Sequence, residues 1–318
     1  MYHTSIFHAK FENNGEEIEY FLDFHEGKVK QETLKIDGEL KLNREEGKLY
    51  YDKVKIFLDF QMEDDKLAVS RVDTIQQPFF EALHNWGKNL NHYRFGGKLG
   101  KDTFLRDINA VKFDVEAELK ENEEVNVSEI FLRANKKFGE TFLNTLIEDM
   151  GKLSYPIQKV SAELLKFFPI SAIGLGVQEN DMEVITDQRE MSQGMFRVLS
   201  FLVQLNYLLL NQISSCILID DIGEGLDYQR SKSLVDLMIE KVKNSSVQVI
   251  MTTNDRFVMN KIPLAYWSVV HRTPKKALFY NYRNSKETFD EFNYTGLSNF
   301  DFLSSEFYFE GFEKQGEL

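Results

Sequence analysis

The sequence predicts an α/β fold in which a mostly parallel sheet follows an N-terminal antiparallel β meander and a helical insert. Three observations predict it. Residues 5–60 alternate apolar and polar at period two, with Gly-containing turn signals between the runs. From Phe79 to Phe168 the apolar spacing becomes helical. From Ile170 strands alternate with helices, which implies parallel pairing. The expected parts are an antiparallel β part over 1–75, the helical insert over 76–168 and an α/β lobe over 169–318.

In the first part, Phe7, Ala9 and Phe11 precede Asn13-Asn14-Gly15, and Ile18, Tyr20, Leu22 and Phe24 follow it. Glu26-Gly27, Asp37-Gly38 and Glu46-Gly47 then punctuate Val29 to Phe60. Asn-Gly and Asp-Gly between alternating runs are hairpin turns, so neighbouring strands pair antiparallel. In the insert, Val127, Ile130, Phe131, Ala134, Phe138 and Phe142 follow the i, i+3, i+4, i+7 pattern, with Asn126 placed to cap the helix. Ile157, Val160 and Leu164 after Pro156 predict a second helix, since Pro suits a first turn.

In the last part, Ile170–Val177 and Met182–Ile185 read as a hairpin across Glu179-Asn180. A helix from about Gly194 to Leu210, strand 216–220, helix 227–243 and strands Val247–Thr252 and Ala265–Val270 follow. The aromatic stretch Phe300 to Phe312 is expected to dock on the body.

Composition narrows the function classes. The 318 residues are 42% apolar, with 27 Phe and only 5 Pro, enough for a packed core. A net charge of −13 disfavours attraction to nucleic acid phosphates. Cys216 is the single cysteine and lies in a predicted buried strand, which fits a reducing cytoplasm. Met1-Tyr2-His3-Thr4-Ser5 carries no signal-peptide pattern. The most apolar window, Phe196 to Leu210, is broken by Ser200, Gln204 and Asn206 and is too short to span a bilayer. A cytoplasmic location without a membrane partner is therefore expected. The six His show no ligand spacing with Cys or acids, so zinc is not expected. No G-x-S-x-G occurs, and a lone buried Cys is a poor nucleophile.

The chemistry-bearing stretch is Cys216-Ile217-Leu218-Ile219-Asp220-Asp221, continuing into Ile222-Gly223-Glu224-Gly225-Leu226-Asp227. Four apolar residues followed by two carboxylates read as a buried strand delivering acids to its C-terminal end, where open α/β sheets bind ligands. An acidic pair there suits Mg²⁺, which keeps most of its waters and takes one or two carboxylates beside nucleotide phosphates. One helix earlier stands Met191-Ser192-Gln193-Gly194-Met195-Phe196-Arg197. A Ser hydroxyl with free amides at a helix start can hold an anion, although such a Ser is far more often a plain N-cap. One helix later, Thr253-Asn254-Asp255 ends strand Val247–Thr252 and could reach the same crevice or merely cap the next turn.

In this order the three elements resemble the C-terminal half of an ABC-type ATPase head. The branch is that of chromosome-maintenance (SMC) proteins, double-strand-break-repair ATPases and OLD-like AAA-type ATP-binding proteins. Ser192-Gln193-Gly194 with Arg197 matches the signature motif, Cys216–Asp220 matches Walker B, and Leu226-Asp227 matches the D-loop. Asp221 stands where those families carry a catalytic Glu, and Thr252-Thr253-Asn254 where many carry a switch His. The resemblance covers roughly 170–272 and implies a P-loop NTPase-like sheet, ATP and Mg²⁺ as cofactors, and face-to-face dimerisation. It further implies that Asp220 holds Mg²⁺ and acts with Asp221 and Asn254 in catalysis. Ser192, Gln193, Gly194, Arg197 and Asp227 would then contact nucleotide or couple the two sites.

Three departures qualify what the resemblance implies. Asp221 is one methylene shorter than Glu, and Asn254 cannot carry charge. The third is the phosphate loop: no G-x-x-x-x-G-K-[ST] occurs. The nearest stretch, Gly96-Gly97-Lys98-Leu99-Gly100-Lys101-Asp102-Thr103, has a short spacer, and Asp102 splits Lys from Thr. The chain is expected to begin just after the family's P-loop strand and helix, leaving the Walker B strand short of a neighbour. Gln76-Gln77 before Pro78 reads as a plain loop in preference to a Q-loop. Asp290, Glu291 and Asp301 are too scattered for a nuclease cluster. The expected function is thus an ATP-binding and ATP-hydrolysing ABC-type domain, working as a homo- or heterodimer, with an effector partner, on a P-loop supplied upstream or by a partner. The alternative is a non-catalytic binding or scaffold module.

Overall fold

The computed structural model describes residues 4–71, 73–88, 90–94, 101–105, 126–167, 170–274 and 276–311. The chain divides into two compact units, Met1–Leu90 and Asn91–Leu318.

The first unit is the expected meander. β1 (Thr4–Asn13), β2 (Glu16–His25), β3 (Lys28–Ile36), β4 (Glu39–Asn43), β5 (Lys48–Tyr51) and β6 (Ile56–Asp59) lie in sequence order. The registers β1 to β6 are all antiparallel. Asn14-Gly15, Glu26-Gly27 and Asp37-Gly38 all have positive φ at both positions, the two-residue turn whose twist matches a hairpin. Ile18, Tyr20 and Leu22 alternate inward and join Val29, Leu34, Leu42 and Leu49 in one core. Two 3-10 turns, Ala68–Ser70 and Pro78–Phe80, and α1 (Glu81–Lys88) cover it. Gln77 is buried at the start of the second turn.

Glu32 is fully buried and joins this cover to the sheet. Its carboxylate accepts from Tyr20 Oη (3.1 Å), Arg44 Nη1 (3.2 Å), Ala68 N (2.9 Å) and Val69 N (3.2 Å). Burial, then the neighbouring Glu32 charge, pushes the Tyr20 phenol well up from its usual range.

The second unit opens with β7 (Leu90–Arg94), whose last four residues belong to it. α2 (Val127–Phe138), α3 (Glu140–Lys152), β8 (Ile157–Phe167), β9 (Ile170–Glu179), β10 (Thr186–Asp187) and α4 (Gln193–Leu210) follow. Then come β11 (Ser215–Asp220), α5 (Tyr228–Val242), β12 (Val247–Met251) and α6 (Arg256–Lys261). The unit closes with β13 (Ser268–Thr273), β14 (Lys276–Asn281), α7 (Lys286–Asn293), α8 (Asn299–Ser304) and α9 (Phe307–Glu310). One sheet has the order β12-β11-β7, with β11 and β12 parallel; a second has the order β10-β9-β8, and β13-β14 form a third. The mixed α/β class is as expected.

Several elements differ from expectation. The predicted second helix at 157–164 is the strand β8, paired antiparallel with β9. A bulge between Ile157 and Lys159 shifts the phase of its apolar residues, so the spacing imitates a helix. The return strand is Thr186–Asp187, later than 182–185, and Phe142 belongs to α3 because Gly139, at φ 52°, ends α2. β13 starts only at Ser268, after a 3-10 turn at Leu264–Tyr266. β11 is hydrogen-bonded on both sides, by β12 and by β7, so the expected gap beside it is filled. The aromatic tail does dock: Phe302, Phe307 and Tyr308 are buried with Phe289 and Phe292. Gly96–Gly100 of the glycine-rich stretch lie outside the described residues. The next residues are strapped down instead: Lys101 Nζ donates to Met191 O, and Gln188 Nε2 donates to Lys101 O (2.8 Å).

Glu32→Ala is expected to cost about 3 kcal/mol, because a phenol, a guanidinium hydrogen and two amides lose their acceptor inside the unit. Glu32→Gln keeps an acceptor oxygen and is expected to cost less. Urea denaturation of both variants checks this.

Candidate functional site

The C-terminal ends of β11 and β12 carry the acids. β11 is buried through Ile219 except for half-buried Leu218, and then exposes Asp220. The parallel register sets Ile219 against Met251, so the next residue of β12's chain, Thr252, stands beside Asp220. Thr252 Oγ1 donates to Asp220 Oδ1 (2.7 Å) and accepts from Asp221 N (3.0 Å). One hydroxyl thus orients the first carboxylate and the backbone that presents the second. Asp221 has φ 50°, a left-handed conformation that Asp tolerates, and this turns the chain sharply out of the strand. The sequence places Thr252 only within the stretch Thr252-Thr253-Asn254; its hold on Asp220 and Asp221 comes from the tertiary register.

The expected signature residues cluster at the start of α4. Ser192 caps that helix, accepting from Met195 N at 3.1 Å. Ser192 and Gln193 are exposed, whereas Gly194 and Arg197 are buried. A Cβ on Gly194 would lie 2.7 Å from Gly225 O and 3.2 Å from Tyr155 Oη, so only Gly permits this approach. Arg197 Nη1 donates to Glu224 O (2.7 Å), and Gly225, at φ 78°, leaves room for its guanidinium. The start of α4 and the loop after Asp221 are therefore in direct contact.

Asp227 caps α5, accepting from Arg230 N at 2.9 Å, and pairs with the Arg230 guanidinium. The Arg230 amide, then its side chain, hold Asp227 below the usual carboxylate range, against an opposing desolvation. Arg230 lies 4.4 Å over the Tyr155 ring and donates to Ser154 O (3.1 Å). Burial pushes the Tyr155 phenol up. Neither Tyr155 nor Arg230 carried a sequence signal.

Asn254 is exposed, and Asp255, not Asn254, caps α6, accepting from Phe257 N at 2.7 Å. Gly223 and Asp255 approach closely enough that a Cβ on Gly223 would stand 3.5 Å from Asp255 Oδ2. The Tyr228 and Phe257 rings sit 4.2 Å apart. The loops after β11 and β12 thus form one continuous surface. Cys216 is buried, and its thiol is pushed up by desolvation, which removes it as a nucleophile. Among the described residues no group of three or more His, Cys, Asp or Glu could hold a metal ion, and no helix is long and apolar enough to cross a membrane.

Gly194→Ala is expected to destabilise the protein by about 1–3 kcal/mol, because the neighbour it meets is backbone. Ala favours a helix over Gly by about 1 kcal/mol, so a net loss isolates the contact with Gly225. Thermal melting, with amide exchange at 223–226, checks it.

Among solved structures, one from a study of ATP-driven dimerization and DNA-stimulated activation of SMC ATPases is 18% identical, with 52% of this chain and 97% of that chain covered and a TM-score of 0.35. An Smc head bound to the C-winged helix domain of ScpA is 12% identical, covering 87% and 74%, with a TM-score of 0.42. An Smc head with an extended coiled coil bound to the C-terminal domain of ScpA, derived from Pyrococcus furiosus, is 16% identical, covering 52% and 40%, with a TM-score of 0.34. No curated protein sequence matches the chain. The family model described as "AAA domain, putative AbiEii toxin, Type IV TA system" matches residues 6–260, most of the chain and all of the site above, so the chain belongs to that AAA-domain family.

Proposed function

We propose that the chain supplies the Walker B and signature half of an ABC-type ATP site, completed by a phosphate loop from an upstream segment or a partner subunit. The observation that supports this best is the end of β11, where Thr252 fixes an exposed Asp220 beside Asp221. One Asp220 oxygen is taken by Thr252; the other remains for a hydrated Mg²⁺, a donor set of carboxylate and hydroxyl oxygens that suits this ion. When bound, Mg²⁺ would neutralise phosphate charge. Asp221 would orient the attacking water, and Asn254 would hydrogen-bond the γ-phosphate. Ser192, Gln193 and Gly194 would offer the α4 N-terminus to a γ-phosphate held by another protomer. Arg197 and Asp227 would hold the intervening loop in register with both. The working form is then a homo- or heterodimer through this face, acting with an effector partner. Nucleic acid as that partner gains no support from a net charge of −13.

A second reading, a non-catalytic binding module, has one observation in its favour: β7 already occupies the side of β11 where a gap was expected.

The isolated chain is expected to bind ATP weakly and hydrolyse it negligibly, because a phosphate loop supplies the amides and Lys that hold the β- and γ-phosphates. Calorimetry and phosphate release measure this. Tight binding with multiple turnovers lost in Asp220→Ala would mean that the chain carries its own phosphate loop. Ser192→Arg is expected to change folding stability by only about 1 kcal/mol, yet to abolish nucleotide-dependent association. A collapse in melting temperature would instead make Ser192 purely structural.

A further inference from the structure

We propose that Tyr155 is a further binding residue of the proposed ATP site, its phenol donating to the terminal phosphoryl group that meets the N-terminus of α4. The inference rests on that site and adds to it a donor from a separate part of the chain. Tyr155 follows α3 and is only 8% exposed. A buried tyrosine hydroxyl normally finds a hydrogen-bond partner. The Tyr155 hydroxyl makes no hydrogen bond with any described residue. Gly194 shows where it points: a Cβ there would stand 3.2 Å from Tyr155 Oη, so the phenol tip lies against the first turn of α4. Residue 194 has no side chain to cover it.

The first turn of α4 has donors to spare as well. Ser192 Oγ accepts from Met195 N, and Phe196 N donates to Ser192 O, whereas the Gln193 and Gly194 amides have no acceptor among the described residues. Two free amides, the dipole of an 18-residue helix and an unpartnered phenol make a site that an acceptor group completes, and an oxyanion suits the dipole. The phenol is fixed in this position. Ser154, at φ 59°, turns the chain out of α3, and Tyr155 N donates to Met150 O (3.0 Å). Arg230 covers the ring at 4.4 Å, and its donation to Ser154 O ties it to the same turn. Its guanidinium also pairs with Asp227, so that neighbouring carboxylate is charge-compensated where an anion would approach. Burial keeps the phenol protonated at neutral pH, the form that donates.

NMR of the full chain titrated with inorganic phosphate, and separately with Mg²⁺–ATP, is the test. With either probe the Gln193 and Gly194 amide resonances and the Tyr155 ring Cζ resonance are expected to shift along one saturation curve. Tyr155→Phe removes only the hydroxyl and is expected to weaken phosphate binding roughly tenfold, with melting unchanged. Ser192→Arg is expected to abolish the shifts. Loss of binding in Ser192→Arg with full affinity kept in Tyr155→Phe would overturn the inference and leave the proposed ATP site standing. So would a wild-type Tyr155 ring resonance that stays still while the two amides shift, a readout that holds even where Tyr155→Phe fails to fold. Shifts with phosphate but none with Mg²⁺–ATP, or no shift at Gln193 and Gly194 with either probe, would overturn both.

Discussion

The second unit is organised by one constraint: α4 has almost no surface it can give to water. From Gly194 to Val203 every residue is buried, including Arg197 and Ser200. A helix apolar all round must be enclosed, and α2, α3 and β11 share its core cluster. Such a helix can meet solvent only at its ends. Its N-terminal end carries Ser192 and Gln193, the two exposed residues before the buried run, so enclosure itself fixes where the helix's free amides emerge.

Enclosure also drives Arg197 and Asn206 of α4 to find partners, and those partners tie the site together, while Ser200 Oγ is buried without one. Asn206 donates to Asp149 Oδ2 (2.9 Å) and accepts from Lys241 Nζ (2.9 Å), while Lys241 pairs with Asp149 at 2.7 Å. That triad links α3, α4 and α5 well inside the unit, where an unpaired charge would be costly. At the other end, Arg197 holds the Glu224 carbonyl. α4 is thus fixed to α5 and to the loop before it at two separated points. The N-terminal end of α4 and the acid-bearing loop are held to each other, so a ligand at this surface would meet preorganised groups, with little ordering left to do.

Legibility in the sequence followed how local each determinant is. The meander was readable because its turns need positive φ at two adjacent residues, and Asn14-Gly15 and Asp37-Gly38 announce that in the chain itself. Asp220 was readable because four apolar residues deliver it to the strand's end. β8 was misread because a single bulge disguises its period. β7 escaped notice because Leu90–Arg94 is short and mostly polar and becomes a strand only by pairing with β11. Thr252, Tyr155 and Arg230 depend on which strands and loops end up adjacent, and no spacing within one segment encodes that.

The sheet and the site share one remaining requirement. Ile217 and Ile219 of β11, with Val249 and Met251 of β12, face the core under α4. The opposite face pairs Cys216 with Gln248 and Leu218 with Ile250, and Ile250 is 50% exposed. Parallel strands normally have both faces covered, and β12 ends its sheet among the described strands. Because β7 occupies the far side of β11, a strand completing the parallel pair could join it only at the outer edge of β12. Its C-terminal end would then open beside Thr252 and Asn254, on the side of Asp220 that Thr252 already orients. In the proposed ATP site, covering Ile250 and delivering a phosphate loop are therefore tasks that one strand–loop–helix segment would perform together, and a segment that covered Ile250 alone would complete the sheet but leave the site without its phosphate-binding amides.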